Sequence, residues 1–313
     1  MDGVLVLDKP GGITSRKAAT RAARALGTPR FGHAGTLDPL ATGVLPVLLG
    51  RATLLSGVIS GGIKCYRVEA ALGIQTDTYD TEGEVVAVKD ASGITDEAIE
   101  RATASLTGTL EQSPPAFSAV KHRGKPLYRY AREGRPVPSM AREVRVDSFE
   151  LVSVRREGGR VTATLEVKCG PGTYVRSLVH SLGGLLGCGA AVSGLRRTRS
   201  GRLSIDRAVT LEELARGDGR DRSIISMEEA TQGMPTMVVA GEAARAVRFG
   251  KKLSPTCAES IGFRADEVPE TFRVLDADGK LLALYGPPAG EADMGCYRVR
   301  RVLRPANAGE QLR

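Results

Sequence analysis

Asp38 lies in a stretch punctuated by Gly32, Gly35, Pro39, Gly43 and Pro46, a short way after His33. A carboxylate held in such a loop has two readings. The commoner is a turn residue that bonds its own backbone. The other is a reactive group such as a nucleophile. Long ordered loops often carry function, which keeps the second reading open. Further side chains capable of chemistry are scattered: Lys9, Tyr66, Tyr174 and Arg176. The 3 histidines are far apart and form no HExxH signature. The 5 cysteines are odd in number and never in CxxC spacing. A zinc site and a disulfide framework are therefore not expected, and reduced thiols fit the cytoplasm.

The charge pattern points to a polyanionic partner. The 313 residues carry a formal net charge of +8, and the pI is near 9.4. Lys9, Arg16, Lys17, Arg21, Arg24 and Arg30 succeed one another without an acid. The stretch from Lys121 to Arg145 is rich in Arg and Lys and opposed only by Glu133 and Glu143. Arg196, Arg197, Arg199, Arg202 and Arg207 form a third cluster with Asp206 as its one acid. Separated basic stretches of this kind suit phosphate contacts, although a solvated basic face is the plainer alternative. None has a bulky apolar side suited to a membrane interface. The run Val4-Leu5-Val6-Leu7 is too short to span a bilayer and shows no signal-peptide pattern, so no membrane partner is expected.

The elements that must position these groups can be read from periodicity. Residues 3–8 predict a short buried strand, followed by a helix capped at Thr14 or Ser15. On that helix Ala18, Ala19, Ala22, Ala23 and Leu26 make a small-residue face, with the cations mainly elsewhere. A structured loop from Gly27 leads into the apolar run Val44–Leu49. Lys64–Gly73 reads as a strand, and Thr76–Asp80 as a turn. Thr95 caps a helix over 95–107, with Asp96 and Glu97 in its first turn. Gln112–Pro138 reads as an insertion with one short helix near Leu127–Glu133. Strands follow at 143–154 and 160–169, the latter alternating with a period of two. Gly170-Pro171-Gly172 then turns the chain into a helix burying Val175, Leu178, Val179, Leu182 and Leu186. Beyond a boundary near Gly233–Pro235, strands at Arg273–Leu275 and Leu281–Tyr285 suggest a small β domain. The tail from Pro305 is expected to fray.

The segment His33-Ala34-Gly35-Thr36-Leu37-Asp38-Pro39-Leu40-Ala41-Thr42-Gly43-Val44-Leu45 resembles the signature of the TruB family of pseudouridine synthases. Further blocks match in order: Asp8–Ser15, Lys64-Cys65-Tyr66, Pro114–Ala119, Gly172–Ser177 and Leu195-Arg196-Arg197. The similarity covers roughly residues 1–215. Phe117 departs from it, since the family usually has tyrosine there. The resemblance implies isomerisation of uridine 55 in the T-loop of tRNA, a redox-neutral exchange of the N1–C1′ bond for C5–C1′ that needs no cofactor. It makes Asp38 the catalytic carboxylate and sets Arg176 against it. The plainer alternative for Arg176 is a solvated arginine in the first turn of a helix, where the dipole disfavours a cation. The resemblance has Tyr66 stack on the target base and help remove the C5 proton; otherwise it is a half-buried strand tyrosine. By the same resemblance Lys9 and Pro10 support Tyr66 from an adjacent strand, Tyr174 bonds within the pocket, and Leu195 closes its apolar wall. His33 contacts the T-loop and helps extrude the base; alone it would be a loop-structuring histidine. Arg129, Arg132 and Arg135 of the insertion are the expected phosphate contacts.

The expected fold class is α+β: a pseudouridine synthase core with a mixed, largely antiparallel sheet and flanking helices, then a small β domain resembling PUA. The expected domains are residues 1–235 with a basic insertion at about 112–145, 236–304, and a flexible tail at 305–313. The expected partner of this monomer is tRNA through its T-arm and T-loop, with no guide RNA. A guide-RNA-dependent synthase of the dyskerin type is one rival. Against it, the chain opens on its first core strand without a leader, and its insertion is similar to that of stand-alone enzymes. The other rival is a non-catalytic tRNA-binding or folding protein.

Overall fold

A computed structural model describes residues 1–304 apart from 119, 136–140, 265 and 289–294. The tail expected at 305–313, and part of the basic insertion, lie outside the described residues. Strand Gly3–Lys9 is apolar on both faces, and Val4, Leu5, Val6 and Leu7 are fully buried. Continuous apolar sequence of this kind belongs inside a sheet covered on both sides. Strand Arg160–Cys169 instead buries Val161, Ala163, Leu165, Val167 and Cys169 and turns the residues between them outward.

Among the described residues these strands belong to one 10-stranded sheet. Its main path runs Ile224–Ile225, Gly3–Lys9, Thr42–Leu49, Ala190–Ser200, Lys64–Leu72, Arg160–Cys169, Arg142–Glu157, Gly108–Gln112. All neighbours on this path are antiparallel except Thr42–Leu49 and Ala190–Ser200, which run parallel with Arg196 opposite Thr42 and Arg197 opposite Gly43. Helices Ser15–Ala25, Asp96–Ser105 and Val175–Leu185 contribute Ala18, Ala19, Ala22, Ile99, Leu178, Val179 and Leu182 to a common apolar core with the sheet. The fold is therefore α+β around a mixed, largely antiparallel sheet. Thr14 and Thr95 cap the first two helices, accepting from the backbone N–H groups of Lys17 and Ala98.

A second sheet of 5 strands has the order Ser260–Ile261, Thr236–Val239, Phe272–Asp276, Leu281–Gly286, Arg298–Val302. Phe272, Tyr285 and Tyr297 fill its interior with Phe263. Leu281, Leu284 and Leu303 pack instead with Val4, Val6 and Val44 of the first sheet. Glu228 reinforces that junction, accepting from the Leu281 N–H at 2.9 Å and pairing with Arg304 at 3.1 Å.

The topology fixes the layout of the site. The loop carrying Asp38 enters the sheet through Thr42–Leu49. The parallel neighbour of that strand, Ala190–Ser200, brings Leu195 and Arg197, and the next strand out, Lys64–Leu72, brings Tyr66.

Candidate active site

The aspartate loop is held by backbone bonds on both sides of residue 38. Lys9 ends its strand fully buried, and its ammonium donates to the carbonyls of Pro10 at 2.9 Å, Pro39 at 3.1 Å and Ala41 at 2.6 Å. Ser15, the first residue of its helix, donates from Oγ to the Leu37 carbonyl and accepts from the Leu37 N–H, both at 2.8 Å. The Gly12 N–H donates to Pro39 O at 2.9 Å and the Ala41 N–H to Asp38 O at 3.1 Å. The loop is thereby tied to the end of one strand and the start of one helix, so its carboxylate is presented from rigid supports.

That carboxylate faces Arg176. Nε of Arg176 lies 2.9 Å from Asp38 Oδ2, as a close ion pair in which the N–H is poorly aligned for a hydrogen bond. The remaining guanidinium nitrogens are held elsewhere. Nη1 donates to Thr78 O at 2.8 Å and approaches Asp80 Oδ2 at 3.3 Å, while Nη2 donates to Phe117 O at 3.1 Å. Arg176 is only 4% exposed, whereas Asp38 keeps 35% of its side chain open to solvent. The expected pairing is present, and the cation in the first turn of its helix is explained by two carboxylates facing it.

Electrostatics at Asp38 are a balance of opposing effects. Burial pushes its carboxyl above the ordinary aspartate value, and nearby Asp80 pushes the same way; Arg176 and Lys9 oppose both. The arginine thus offsets desolvation without overcoming it. Lys9 is pulled down to about 8, chiefly by burial and despite the attraction of Asp38.

Tyr66 is 9% exposed, opposite Val167 on one side and Arg197 on the other. Burial raises its phenol above the ordinary value, with Arg197 opposing. The hydroxyl therefore stays protonated at neutral pH. The expectation that Lys9 and Pro10 support Tyr66 from an adjacent strand is corrected. Two strands, Thr42–Leu49 and Ala190–Ser200, separate Gly3–Lys9 from Lys64–Leu72, and the Lys9 ammonium serves the aspartate loop. Leu195 is half-buried opposite Val68 and packs on the main core. Tyr174 immediately precedes the helix of Arg176. Its backbone is clamped by the Gln112 amide at 2.7 and 3.1 Å, and its ring lies under Arg142 at 5.2 Å. His33 is half-buried with Nε2 3.2 Å from Thr36 Oγ1, and burial with Arg16 and Arg197 lowers its pKa, which keeps it neutral.

The basic stretches divide into committed and open cations. Arg197 is 1% exposed and donates to Val44 O at 2.7 Å and Gly35 O at 2.6 Å, so it is a buried brace and not a surface cation as its cluster suggested. Gly43 is required beside it: its φ is +97°, and an added Cβ would lie 2.2 Å from Arg197 O. Arg196 forks onto Asp8 at 2.7 and 3.0 Å, and Arg207 pairs with Glu229. By contrast Arg16, Lys17, Arg21 and Arg24 are exposed on helix Ser15–Ala25, opposite its buried alanines. In the insertion, helix Leu127–Arg132 anchors through Leu127 and leaves Arg129 exposed; Arg132 stacks over Tyr128, and Arg135 lies over Tyr130 near Glu133.

Three site features escaped the sequence reading: the Ser15 clamp, the Arg197 brace and Asp80. Asp80 is 5% exposed and accepts from Thr78 Oγ1 at 2.7 Å. Its Thr/Asp-rich surroundings spell a turn, and nothing local tells that the turn folds onto Arg176. Two sizeable cavities, of about 670 and 700 Å³, open elsewhere, one beside Arg300 and Leu284 and the other beside Lys168 and Pro171.

Comparison with known proteins gives a consistent picture. The family model for TruB family pseudouridylate synthase (N terminal domain) matches residues 23–175, and that for the tRNA pseudouridylate synthase B C-terminal domain matches residues 176–231. The chain is 39% identical over 307 residues to a tRNA pseudouridine synthase B of Mycobacterium sp. (strain KMS), covering 97% of each. It is 49% identical over 214 residues to one from Aromatoleum aromaticum, covering 68% of each. Among solved structures, a chain from a Cbf5-Nop10-Gar1 complex superposes with a TM-score of 0.74 at 27% identity, covering 97% of this chain and 85% of that one.

Proposed function

The chain belongs to the TruB family and is a tRNA pseudouridine synthase, and on that premise we propose that it isomerises uridine 55 of the T-loop with Asp38 as the reacting carboxylate. The observation that carries this reading is the ion pair of a partly exposed Asp38 with a buried Arg176 whose other nitrogens are bonded to Thr78, Asp80 and Phe117. A carboxylate so held can attack the nucleoside or stabilise cationic character at C1′ while N1–C1′ breaks. The uracil then turns, C5 bonds to C1′, C5 gives up its proton, and N1 ends protonated. Electrons balance without an acceptor, so the exchange calls for no redox cofactor.

In this reading the base leaves the stack and enters beside Tyr66 and Leu195, and neutral His33 fills the place it vacates. Tyr66 offers its face and a neutral hydroxyl. Tyr174 and Pro10 bound the pocket, and Lys9 fixes the loop. The RNA backbone is gripped by Arg16, Lys17, Arg21 and Arg24 together with Arg129, Arg132 and Arg135. The second sheet is read as an RNA-binding module resembling PUA, on residues 236–304. The protein works as a monomer in the cytoplasm.

A guide-dependent reading is favoured by one observation, the likeness to a Cbf5-Nop10-Gar1 complex. One experiment separates the two. Purified protein with an unmodified tRNA transcript, and neither guide RNA nor cofactor, should form one pseudouridine, lost when uridine 55 is replaced by cytidine. Turnover appearing only after addition of a guide RNA would reject the stand-alone reading.

A further inference from the structure

Tyr79 is a bulky residue with φ +63°, in the left-handed region that such side chains rarely occupy. Strain of this kind persists only where the surroundings over-determine it, and it gathers at functional sites. Both neighbours of Tyr79 serve Arg176. Thr78 offers its carbonyl to Nη1 at 2.8 Å, and Asp80 brings Oδ2 to the same nitrogen at 3.3 Å. In an extended strand the carbonyl of one residue and the side chain two positions on would not converge on one atom. The left-handed turn at residue 79 lets them converge.

The ring of Tyr79 is held by the same helix that carries Arg176. His180, one helical turn beyond Arg176, lies parallel to it with ring centroids 3.9 Å apart and an interplanar angle of 14°. His180 Nδ1 is buried without a hydrogen-bond partner, so stacking is the contact the structure gives this ring. On the other side, Tyr79 O accepts from the Val192 N–H at 3.0 Å, and the Thr81 N–H donates to Val192 O at 2.9 Å. Helix Val175–Leu185 therefore grips the turn twice, through a guanidinium and through a stacked ring.

We propose that the Tyr79–His180 stack is a positioning device: it holds the left-handed turn that delivers Thr78 and Asp80 to Nη1, and so fixes Nε of Arg176 against Asp38. Neither ring touches the reacting atoms in this account; both act through Arg176. The inference rests on Asp38 as the reacting carboxylate, and the presence or absence of pseudouridine formation by Asp38→Asn tests that premise separately.

The experiment is a set of single-turnover measurements across pH with tRNA transcript, alongside tRNA binding and thermal unfolding. His180→Ala should lower the rate constant roughly tenfold to a hundredfold, as expected when a reacting group is misplaced, with tRNA affinity within about twofold. Its acid limb should move to higher pH, because an Arg176 that drifts from Asp38 no longer lowers that carboxyl. His180→Phe restores an aromatic face without an imidazole and should recover most of the rate. Tyr79→Phe should match wild type. Tyr79→Gly accepts the backbone angle without strain but has no ring, and should be slow, because tolerance of the turn differs from its enforcement. A Tyr79→Gly or a folded His180→Ala protein with wild-type rate and pH profile would overturn the proposal. So would an affinity loss at unchanged rate, which would make the rings an RNA contact. Should His180→Ala fail to fold, the His180→Phe and Tyr79→Gly pair still decides it.

Discussion

Arg176 and Asp80 are joined in the same buried network as Arg176 and Asp38: one guanidinium, 4% exposed, stands between two carboxylates, 2.9 Å from one and 3.3 Å from the other. The two acids differ in exposure, at 35% for the Asp38 side chain and 7% for that of Asp80. Asp80 also accepts from Thr78 Oγ1 and the Glu82 N–H, so its charge is satisfied within the turn. Asp38 has one side bound to the arginine and another open. The open carboxylate is the one able to meet a substrate.

Asp38→Asn is expected to abolish turnover while leaving tRNA affinity within a few-fold, because asparagine keeps the shape and phosphate contacts supply most of the affinity. Pseudouridine assays on pure variant protein and filter binding check this. Formation of product by the variant would remove Asp38 from the role.

Arg176→Lys should impair turnover more than binding, since an ammonium cannot engage Asp38, Asp80 and two carbonyls as a planar fork does. The pH profile supplies the sign. In the proposed role the active form of Asp38 is the carboxylate, and burial raises its pKa. Wild-type rate should therefore fall, as pH is lowered, sooner than an ordinary aspartate would require. In the lysine variant Arg176's lowering influence is weaker, so the acid limb should move to still higher pH. A variant equal to wild type in rate and profile would show that the pair is not used.

Much of this site was legible because its pieces are local in sequence. The Asp38 loop is one continuous segment, and period-two alternation marks the strand Arg160–Cys169. Arg176 was reached through the family resemblance, with its unfavourable position in the first turn of a helix as support. Its second carboxylate was not legible, because the contact with Asp80 joins residues 96 positions apart and depends on a left-handed Tyr79. Arg197 misled for a related reason: an arginine inside a basic run reads as surface, and its burial follows from the parallel pairing of Ala190–Ser200 with Thr42–Leu49. Lys9 was expected beside Tyr66, and its true partners, the carbonyls of Pro39 and Ala41, lie about thirty positions away in the sequence.

Lys9→Met should destabilise the protein by about 2–4 kcal/mol, because it leaves buried carbonyls short of a donor. Chemical denaturation at neutral pH checks this. The pH dependence has a definite sign. The native ammonium titrates at about 8 and the ordinary value is 10.5, so between these the unfolded chain binds more protons. Stability from this group therefore rises with pH across that window. The methionine variant should lose this contribution, and the stability difference from wild type should widen from pH 8 to 10. A difference constant with pH would mean that Lys9 is not buried as an ammonium.

The last expectation separates grip from choice of site. Arg16, Lys17, Arg21 and Arg24 lie on one side of helix Ser15–Ala25, and Ser15 bolts that helix to Leu37 beside the reacting loop. Phosphates held there stand in fixed register with Asp38. Arg129 and Arg132 sit on a short helix and Arg135 just beyond it, with Arg132 and Arg135 resting on tyrosines. Replacing either set by glutamine should weaken tRNA binding and flatten its salt dependence, each lost phosphate contact lowering the slope by about one. The helix set should cost more in turnover at saturating tRNA, because it also sets register. Site choice should survive in both if, as proposed, it arises from T-loop shape and from the nucleotide able to enter beside His33 and Tyr66. A stem-loop carrying the T-arm alone should therefore be modified at the same uridine. An unchanged salt slope in either variant would move the phosphate surface elsewhere. An inert stem-loop would mean that distant parts of the tRNA, reached through residues 236–304, take part in recognition.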